Sequence, residues 1–164
     1  MALRNILVEG DPTLGKVSRK VTKFDARLHE LLDDMVETLH DANGAGLAAP
    51  QVGVLRRVVV VDTGDGVLEL VNPEILETSG EQTGLEGCLS VPGKWGLVTR
   101  PAVVRVRAQD RDGNWYEVEG EEMTARAFCH EIDHLDGHLY TEKVDRFLTE
   151  EELAELLTDE GEDA

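Results

Sequence analysis

Two histidines, His130 and His134, lie four residues apart around Glu131 in the segment His-Glu-Ile-Asp-His. On an α-helix, residues at this spacing differ by only about 40° around the axis, so both rings can bind one metal ion. Glu131 then flanks the ion beside a metal-bound water, which suits metal-assisted hydrolysis with the glutamate moving protons. Because the same spacing also occurs as a polar stripe on an amphipathic helix, the hypothesis requires a third ligand.

The third ligand predicted for this site is Cys88, which lies upstream in the segment Glu-Gly-Cys-Leu-Ser. A metal-bound cysteine is a thiolate, because the ion deprotonates it. The other cysteine, Cys129, lies about 140° from His134 around the helix, so we expect it to be a small buried side chain. The sequence predicts one divalent ion on Cys88, His130 and His134, and this donor set suits zinc, iron, cobalt or nickel.

The helical stripe that carries the histidines continues backwards through apolar residues. Ala127 and Met123 lie on the same face as His130 and His134. An apolar wall beside a hydrolytic centre could form a slot for an apolar side chain. The same two residues could equally be ordinary core.

Three segments of the chain resemble the signature blocks of bacterial peptide deformylases. They are Gly-Ala-Gly-Leu-Ala-Ala-Pro-Gln at 44–51, Glu-Gly-Cys-Leu-Ser at 86–90 and His-Glu-Ile-Asp-His-Leu at 130–135. They occur in the order and at the separations typical of that family, and the likeness extends from Ile6 to about Phe147. The resemblance implies an enzyme that hydrolyses the N-terminal formyl group of formyl-methionyl nascent polypeptides and releases formate.

The resemblance also implies a role for several individual residues. Gly46 and Ala45 would bind the backbone of the peptide, and Met123 and Ala127 would line the methionine slot. Gln51 and the backbone N–H of Leu89 would stabilise the oxyanion that forms on the formyl carbonyl. Glu131 would deliver a proton to the leaving amine. Ferrous iron would be the native ion.

Two other functions compete with this hypothesis. A zinc metallopeptidase of the metzincin type needs a third histidine six residues after His134, but Tyr140 occupies that position. His138 continues the four-residue spacing, yet Gly137 is expected to end the helix before it. A catalytically silent homologue with a structural metal is the second alternative, although structural sites usually close with four protein ligands.

The composition predicts one catalytic domain over residues 1–164, with an acidic tail from about residue 159. A chain of 164 residues with 41% hydrophobic content can bury one sizeable core. The net charge of −18, from 34 acids and 16 bases, argues against direct binding of nucleic acid. No apolar run is long enough for a membrane span or a signal peptide. We therefore expect a cytoplasmic monomer.

The hydrophobic pattern predicts an α+β fold, with antiparallel sheets around a central metal-binding helix, a further N-terminal helix and a short C-terminal helix. The predicted helices cover about 25–40 and 122–136, and a third begins at Thr149. Strands are predicted at 57–62, 67–71, 102–108 and 114–118, with a hairpin turn at 110–113. The unbroken apolar run from Val58 to Val61 indicates a strand that is buried on both faces.

Two segments depart from the family pattern. The segment that follows Thr149 contains acids and no base. Any transient contact with the ribosome should therefore not use a basic C-terminal helix. Trp95 follows Lys94 in a segment where some relatives have an arginine near the bound peptide. Trp95 could be an apolar platform for the peptide or a packing residue.

Overall fold

The structure is a computed structural model and describes residues 2–155. The two long helices are α1 (Ala26–Asp41) and α2 (Met123–Leu135). The strands are β1 (Gly46–Ala48), β2 (Val58–Val61), β3 (Leu68–Ser79), β4 (Gln82–Cys88), β5 (Val91–Arg100), β6 (Val103–Gln109), β7 (Trp115–Glu121) and β8 (Val144–Phe147). Short 3₁₀ turns cover Pro12–Gly15, Ala49–Val52 and Tyr140–Glu142, and residues 150–155 are helical.

The strands form two antiparallel sheets. The larger sheet has the order β1-β2-β3-β6-β7, and the smaller sheet has the order β4-β5-β8. This architecture confirms the predicted α+β class with antiparallel sheets. The four predicted strands correspond to β2, β3, β6 and β7, although β3 continues to Ser79, beyond its predicted end. Strands β1, β4, β5 and β8 were not predicted.

Strand β2 lies between the two long helices and is buried on both faces, as predicted. Val59 and Val61 pack into the core cluster that contains the apolar residues of α2. Val58 and Val60 point the other way, into the cluster formed with α1. Each helix therefore packs on its own face of the strand, which places α2 in the interior of the protein.

Helix α1 forms where an apolar stripe follows an N-cap residue. The carboxylate of Asp25 accepts a hydrogen bond of 3.2 Å from the backbone N–H of Leu28. The predicted stripe is fully buried and comprises Leu28, Leu32, Met35 and Leu39. The helix is therefore stabilised by apolar burial on one face.

Helix α2 ends where Gly137 adopts a φ of 81°, which confirms the predicted stop. A Cβ atom at Gly137 would approach the carbonyl oxygen of Gly15 to 2.6 Å, so only glycine fits there. The backbone N–H of Ser18 donates to the carbonyl of Leu135 at 2.8 Å. The segment 15–18 near the start of the chain therefore fixes the end of the helix that carries the histidines.

The predicted hairpin turn at 110–113 and the predicted start of a C-terminal helix at Thr149 are also confirmed. The carboxylate of Asp110 accepts hydrogen bonds from the backbone N–H groups of Asp112 and Asn114, which closes the β6–β7 hairpin. Thr149 and Glu152 cap each other reciprocally at the start of the C-terminal helical turn. The acidic tail predicted from about residue 159 lies outside the described residues. Within residues 2–155, no helix is both long and apolar enough to cross a membrane.

Candidate metal centre and substrate cleft

The three predicted ligands meet at one point. Cys88 is the last residue of β4, and His130 and His134 come from consecutive turns of α2. Their ligand atoms all lie within 4.8 Å of one another. The Sγ atom of Cys88 is 3.3 Å from Nε2 of His134, and tetrahedral zinc with such donors needs separations of ~3.3–3.6 Å. The donor set therefore fits a divalent ion.

The orientation of His130 also suits a metal ligand. Its Nδ1 atom lies 2.5 Å from a carboxylate oxygen of Glu86. Metal-bound histidines usually donate their other ring N–H to a carboxylate in this way, which fixes the ring and leaves Nε2 for the ion. The Nδ1 atom of His134 is buried and makes no hydrogen bond within residues 2–155.

The charges around the histidines favour a cation between them. Burial alone would lower the pKa of His130, but the negative charges of Glu131, Cys88 and Glu86 raise it to about 10. Burial and the charge of His130 hold the pKa of His134 well below its usual value, so this ring is neutral and able to bind metal. A site that stabilises a proton on one histidine in this way would also stabilise a bound metal ion.

Glu131 is buried beside the ligands and forms no ion pair with a lysine or arginine among residues 2–155. One of its carboxylate oxygens lies 3.8 Å from Nε2 of His134, and that oxygen makes no hydrogen bond within the described part of the chain. Burial raises the pKa of Glu131 to about 7, although the charge of His130 opposes this shift. A Cβ atom at Gly46 would come within 2.7 Å of the Glu131 side chain, so glycine is needed to leave room for it.

Gln51 is fixed with its amide nitrogen toward the candidate metal centre. Its Oε1 atom accepts a hydrogen bond of 2.9 Å from the backbone N–H of Ala48. Its Nε2 atom donates to Oγ of Ser90 at 3.0 Å and lies 3.6 Å from Sγ of Cys88. The backbone N–H of Leu89 makes no hydrogen bond within residues 2–155. Two donors thus lie near the three ligands.

A cleft of about 460 Å³ opens beside these groups. The predicted site residues that line it are Ala45, Gly46, Gln51, Cys88, Leu89, Met123, Ala127, His130 and Glu131. His134 is buried behind the cleft. Met123 and Ala127 therefore form part of the cleft wall, and Ala127 also belongs to the buried core cluster around α2.

Trp95 also lines the cleft. The sequence left open whether it is a packing residue or an apolar platform, and it has the properties of both. Its indole ring lies on Gly87, where a Cβ atom would approach the ring to 2.8 Å. The residue is nevertheless 44% exposed. Trp95 is packed on one side and offers an apolar surface to the cleft on the other.

A buried ion cluster that the sequence analysis did not identify supports the site. Glu86 accepts hydrogen bonds from Arg100 at 2.6 and 3.2 Å and from Arg126 at 2.8 Å. Burial would raise the pKa of Glu86, but the hydrogen bonds with His130 and Arg100 hold it at about 2. Arg100 also pairs with Asp133 at 2.8 Å. In the sequence, the one feature that pointed to this cluster was the position of Glu86 inside the Glu-Gly-Cys-Leu-Ser block.

The two positions that bear on a metzincin-type site, Tyr140 and His138, are not part of the group of three ligands among residues 2–155. Tyr140 is buried, and its ring stacks on that of His130 with centroids 5.7 Å apart. His138 lies beyond the end of α2, is exposed, and pairs with Glu142 at 3.2 Å. Both therefore serve as packing or surface groups around the three ligands.

A second cavity of about 630 Å³ lies between α1 and the β6–β7 hairpin. It is lined by Asp33, Val36, Glu37, His40, Val67, Leu68, Glu69, Asp110 and Tyr116. None of the predicted site residues contributes to it. The smaller cleft beside α2 is therefore the candidate active site, because it contains the donors and the perturbed carboxyl.

A cysteine, two histidines and a buried glutamate at the end of a peptide-sized cleft define a candidate hydrolase centre. The family model described as polypeptide deformylase matches residues 3–150, and the chain belongs to this family. It is therefore an enzyme of the peptide deformylase type, and its family removes N-terminal formyl groups from nascent peptides.

Similar proteins cover most of the chain. A peptide deformylase of Agathobacter rectalis is 63% identical over 145 residues, which are 88% of this chain and 92% of that protein. One from Acetivibrio thermocellus is 60% identical over 153 residues, 93% of this chain and 90% of that protein. The crystal structure of peptide deformylase from Thermotoga maritima superposes with a TM-score of 0.85 at 41% identity, covering 87% of this chain and 98% of that one.

A Met-Ala-Ser-bound crystal structure of a class I type b peptide deformylase from Acinetobacter baumannii is also similar. Its TM-score is 0.83 at 33% identity, and the match covers 87% of this chain and 98% of that one.

Proposed function

We propose that this protein hydrolyses the N-terminal formyl group of formyl-methionyl nascent polypeptides by using one divalent ion. The ion would be held by Cys88, His130 and His134, whose ligand atoms lie within 4.8 Å of one another. This donor set beside a buried glutamate is the observation that carries the proposal. We propose ferrous iron as the native ion, while the same donors would also accept zinc, nickel or cobalt.

When bound, the ion would acidify a water molecule and polarise the formyl carbonyl. Glu131 would take a proton from the water and deliver it to the leaving amine, a role that suits a carboxyl with a pKa of about 7. The C–N bond of the formamide breaks, the hydroxyl of water goes to formate, and the proton goes to the new amino terminus.

Gln51 and Leu89 would stabilise the oxyanion. The Nε2 atom of Gln51 points toward Cys88 at 3.6 Å, and its other amide atom is fixed by Ala48. The N–H of Leu89 has no partner within residues 2–155. Preorganised donors of this kind need no rearrangement as negative charge develops.

The edge of the larger sheet would bind the peptide. Among the described residues, strand β1 pairs with β2 alone, so its other edge is available. Ala45 and Gly46 also line the cleft. An extended peptide could therefore add as a strand beside β1, with its methionine side chain against Leu89, Met123 and Ala127. The similar peptide deformylase from Acinetobacter baumannii was crystallised with Met-Ala-Ser bound.

The test is formate release from formyl-Met-Ala-Ser by iron-loaded protein prepared without oxygen. We expect formyl-Met-Ala-Ser to be cleaved much faster than formyl-Asp-Ala-Ser, because the short carboxylate would lie unpaired against an apolar wall. Equal rates would show that the proposed slot does not select the first side chain. Absence of formate from every substrate would favour the catalytically silent alternative, and cleavage within unformylated peptides would favour a metallopeptidase.

We further propose that residues 1–164 form one catalytic domain that acts as a monomer. Because bacterial nascent chains are formylated in the cytoplasm, we propose that compartment. Any ribosome contact would be transient and would not use a basic C-terminal helix, since the segment after Thr149 contains acids and no base.

A further inference from the structure

Arg126 is a charged residue in the wall of the cleft. It lies on the same face of α2 as Met123, Ala127 and His130, and all four line the cavity. Arg126 is only 6% exposed, whereas Met123, at the start of the helix, is 55% exposed. The guanidinium therefore lies deeper in the cleft than Met123.

The hydrogen bonds of Arg126 use one of its three nitrogens. Nη1 donates to a carboxylate oxygen of Glu86 at 2.8 Å and to the carbonyl of Val98 at 3.0 Å. Nε and Nη2 make no hydrogen bond to any residue from 2 to 155. A Cβ atom at Gly84 would come within 3.3 Å of Nη2, so the glycine leaves room for the guanidinium. Donors thus remain available at the deep wall of the cleft.

The carboxylate that pairs with Arg126 is shared with a second arginine. This carboxylate belongs to Glu86, which also pairs with Arg100 through both carboxylate oxygens. One buried carboxylate is therefore shared between two guanidinium groups. Nε and Nη2 are not among the buried atoms that lack a partner, so they are accessible from the cleft, and a substrate side chain that ends in a strong acceptor could form a charge-assisted hydrogen bond there.

Methionine itself cannot use these donors well, because its thioether is a weak acceptor. Methionine sulfoxide has the same unbranched chain, and the oxygen bonded to its sulfur is a strong hydrogen-bond acceptor. In a slot with only apolar walls the sulfoxide would be rejected, since its oxygen would be desolvated without a partner.

We propose that Arg126 is a specificity-determining residue that allows the slot to accept a formylated N-terminal methionine sulfoxide as well as methionine. The inference rests on the proposed deformylase function, and the reaction is the same hydrolysis of the formamide. The sulfoxide is neither oxidised nor reduced; its oxygen only accepts a hydrogen bond from the guanidinium.

The experiment compares kcat/KM for three peptides: formyl-Met-Ala-Ser, its sulfoxide, and formyl-norleucine-Ala-Ser, which lacks an acceptor. For the unchanged protein we expect the sulfoxide to be processed within about tenfold of norleucine. Arg126→Met keeps an unbranched chain and removes the donors, so it should lower the sulfoxide-to-norleucine ratio about tenfold or more. Arg126→Met also removes a hydrogen bond to Glu86, which supports the site. A general loss of activity from this cause would affect all three peptides and cancel in the ratio.

A ratio that stays within threefold in Arg126→Met would overturn the inference, while norleucine cleavage would still support the proposed function. If no peptide releases formate, the proposed function itself fails. Gly84→Ala is a second variant, because its Cβ atom would press on Nη2; it should lower the same ratio. A crystal structure with the product Met(O)-Ala-Ser gives an independent test, and a sulfoxide oxygen beyond hydrogen-bond distance of Arg126 contradicts the proposal.

Discussion

Helices α1 and α2 pack on opposite faces of the same strand, yet they bury different chemistry. The buried face of α1 consists mainly of leucines and Met35, and its two buried polar residues, Asp34 and Thr38, are hydrogen-bonded to Arg4. The buried face of α2 includes Arg126, His130, Glu131 and His134. Burying such groups is unfavourable unless each is paired or bound to metal. One helix therefore contributes stability to the fold, while the other depends on the rest of the fold to tolerate its polar groups.

The largest effect is expected on the α2 side, from Cys88→Ala. This change removes one of three ligands, so we expect metal content to fall from about one ion per chain to near zero. Formate release should fall at least about 1,000-fold, because the hydrolytic centre is lost. Elemental analysis after desalting and the formate assay measure the two effects.

Cys129→Ala is the matched control. Cys129 is one residue before His130, but it lies in the core cluster beneath the sheet. The Cys129→Ala variant should keep the metal and most of its activity, with a small loss of stability. If Cys129→Ala loses the metal and Cys88→Ala retains it, the ligand assignment is wrong.

Glu131→Gln should have the next largest effect. The amide keeps the size of the carboxyl but cannot take up and deliver the proton, so turnover should fall about 100- to 10,000-fold. Metal content should remain near one ion per chain, because Glu131 is not one of the three ligands. Near-normal turnover in this variant would remove Glu131 from the mechanism.

On the α1 side, Leu32→Ala should affect stability and leave the chemistry intact. Leu32 is fully buried among apolar residues. Its truncation should lower the free energy of unfolding by about 2–5 kcal/mol. Metal content and kcat/KM at a temperature where the variant is folded should change less than about twofold. Leu3→Ala is the control, since Leu3 is 54% exposed and should lose little stability. Loss of metal in Leu32→Ala would show that the two helices are coupled through β2.

The smallest effect is expected from deleting residues 160–164. The deletion removes none of the proposed catalytic groups, so formate release should be unchanged. Ribosome association should be unchanged or slightly stronger, because negative charge is removed. Co-sedimentation at low salt measures this. Loss of ribosome binding would identify the acidic tail as a docking element for a basic partner.

The sequence predicted the parts of the fold that local patterns determine. Three features were predicted in this way: the stripe of α1, the glycine that ends α2 and the doubly buried β2. In each case the hydrophobic period or the residue type is sufficient to identify the element. Strands β4 and β5 were not predicted, because residues 82–100 contain several glycines and lack regular alternation. Their pairing depends on the register between the strands, which a single segment does not encode.

The candidate site also contains residues that the sequence predicted and residues that it did not. The three ligands and Glu131 were predicted because short spacings and block order are visible in the sequence. Arg126 was not, although it lies only three residues after Met123, because an arginine in a helix usually indicates an exposed face. The burial of Arg126 depends on its hydrogen bonds to Glu86 and Val98, which lie in the smaller sheet. Such pairing becomes visible only in three dimensions.

The close approach of Gly137 to Gly15 has a consequence for how the protein is made. The contact joins segments near opposite ends of the chain, and Ser18 is tied to Leu135 beside it. A chain emerging during synthesis can form the stripe of α1 early, but it cannot fix the end of α2 until Gly137 has been synthesised. Closing so long a loop is entropically slow. The enzyme that would act on the first residue of every new chain can therefore assemble its own active site only after its own chain has grown past Gly137.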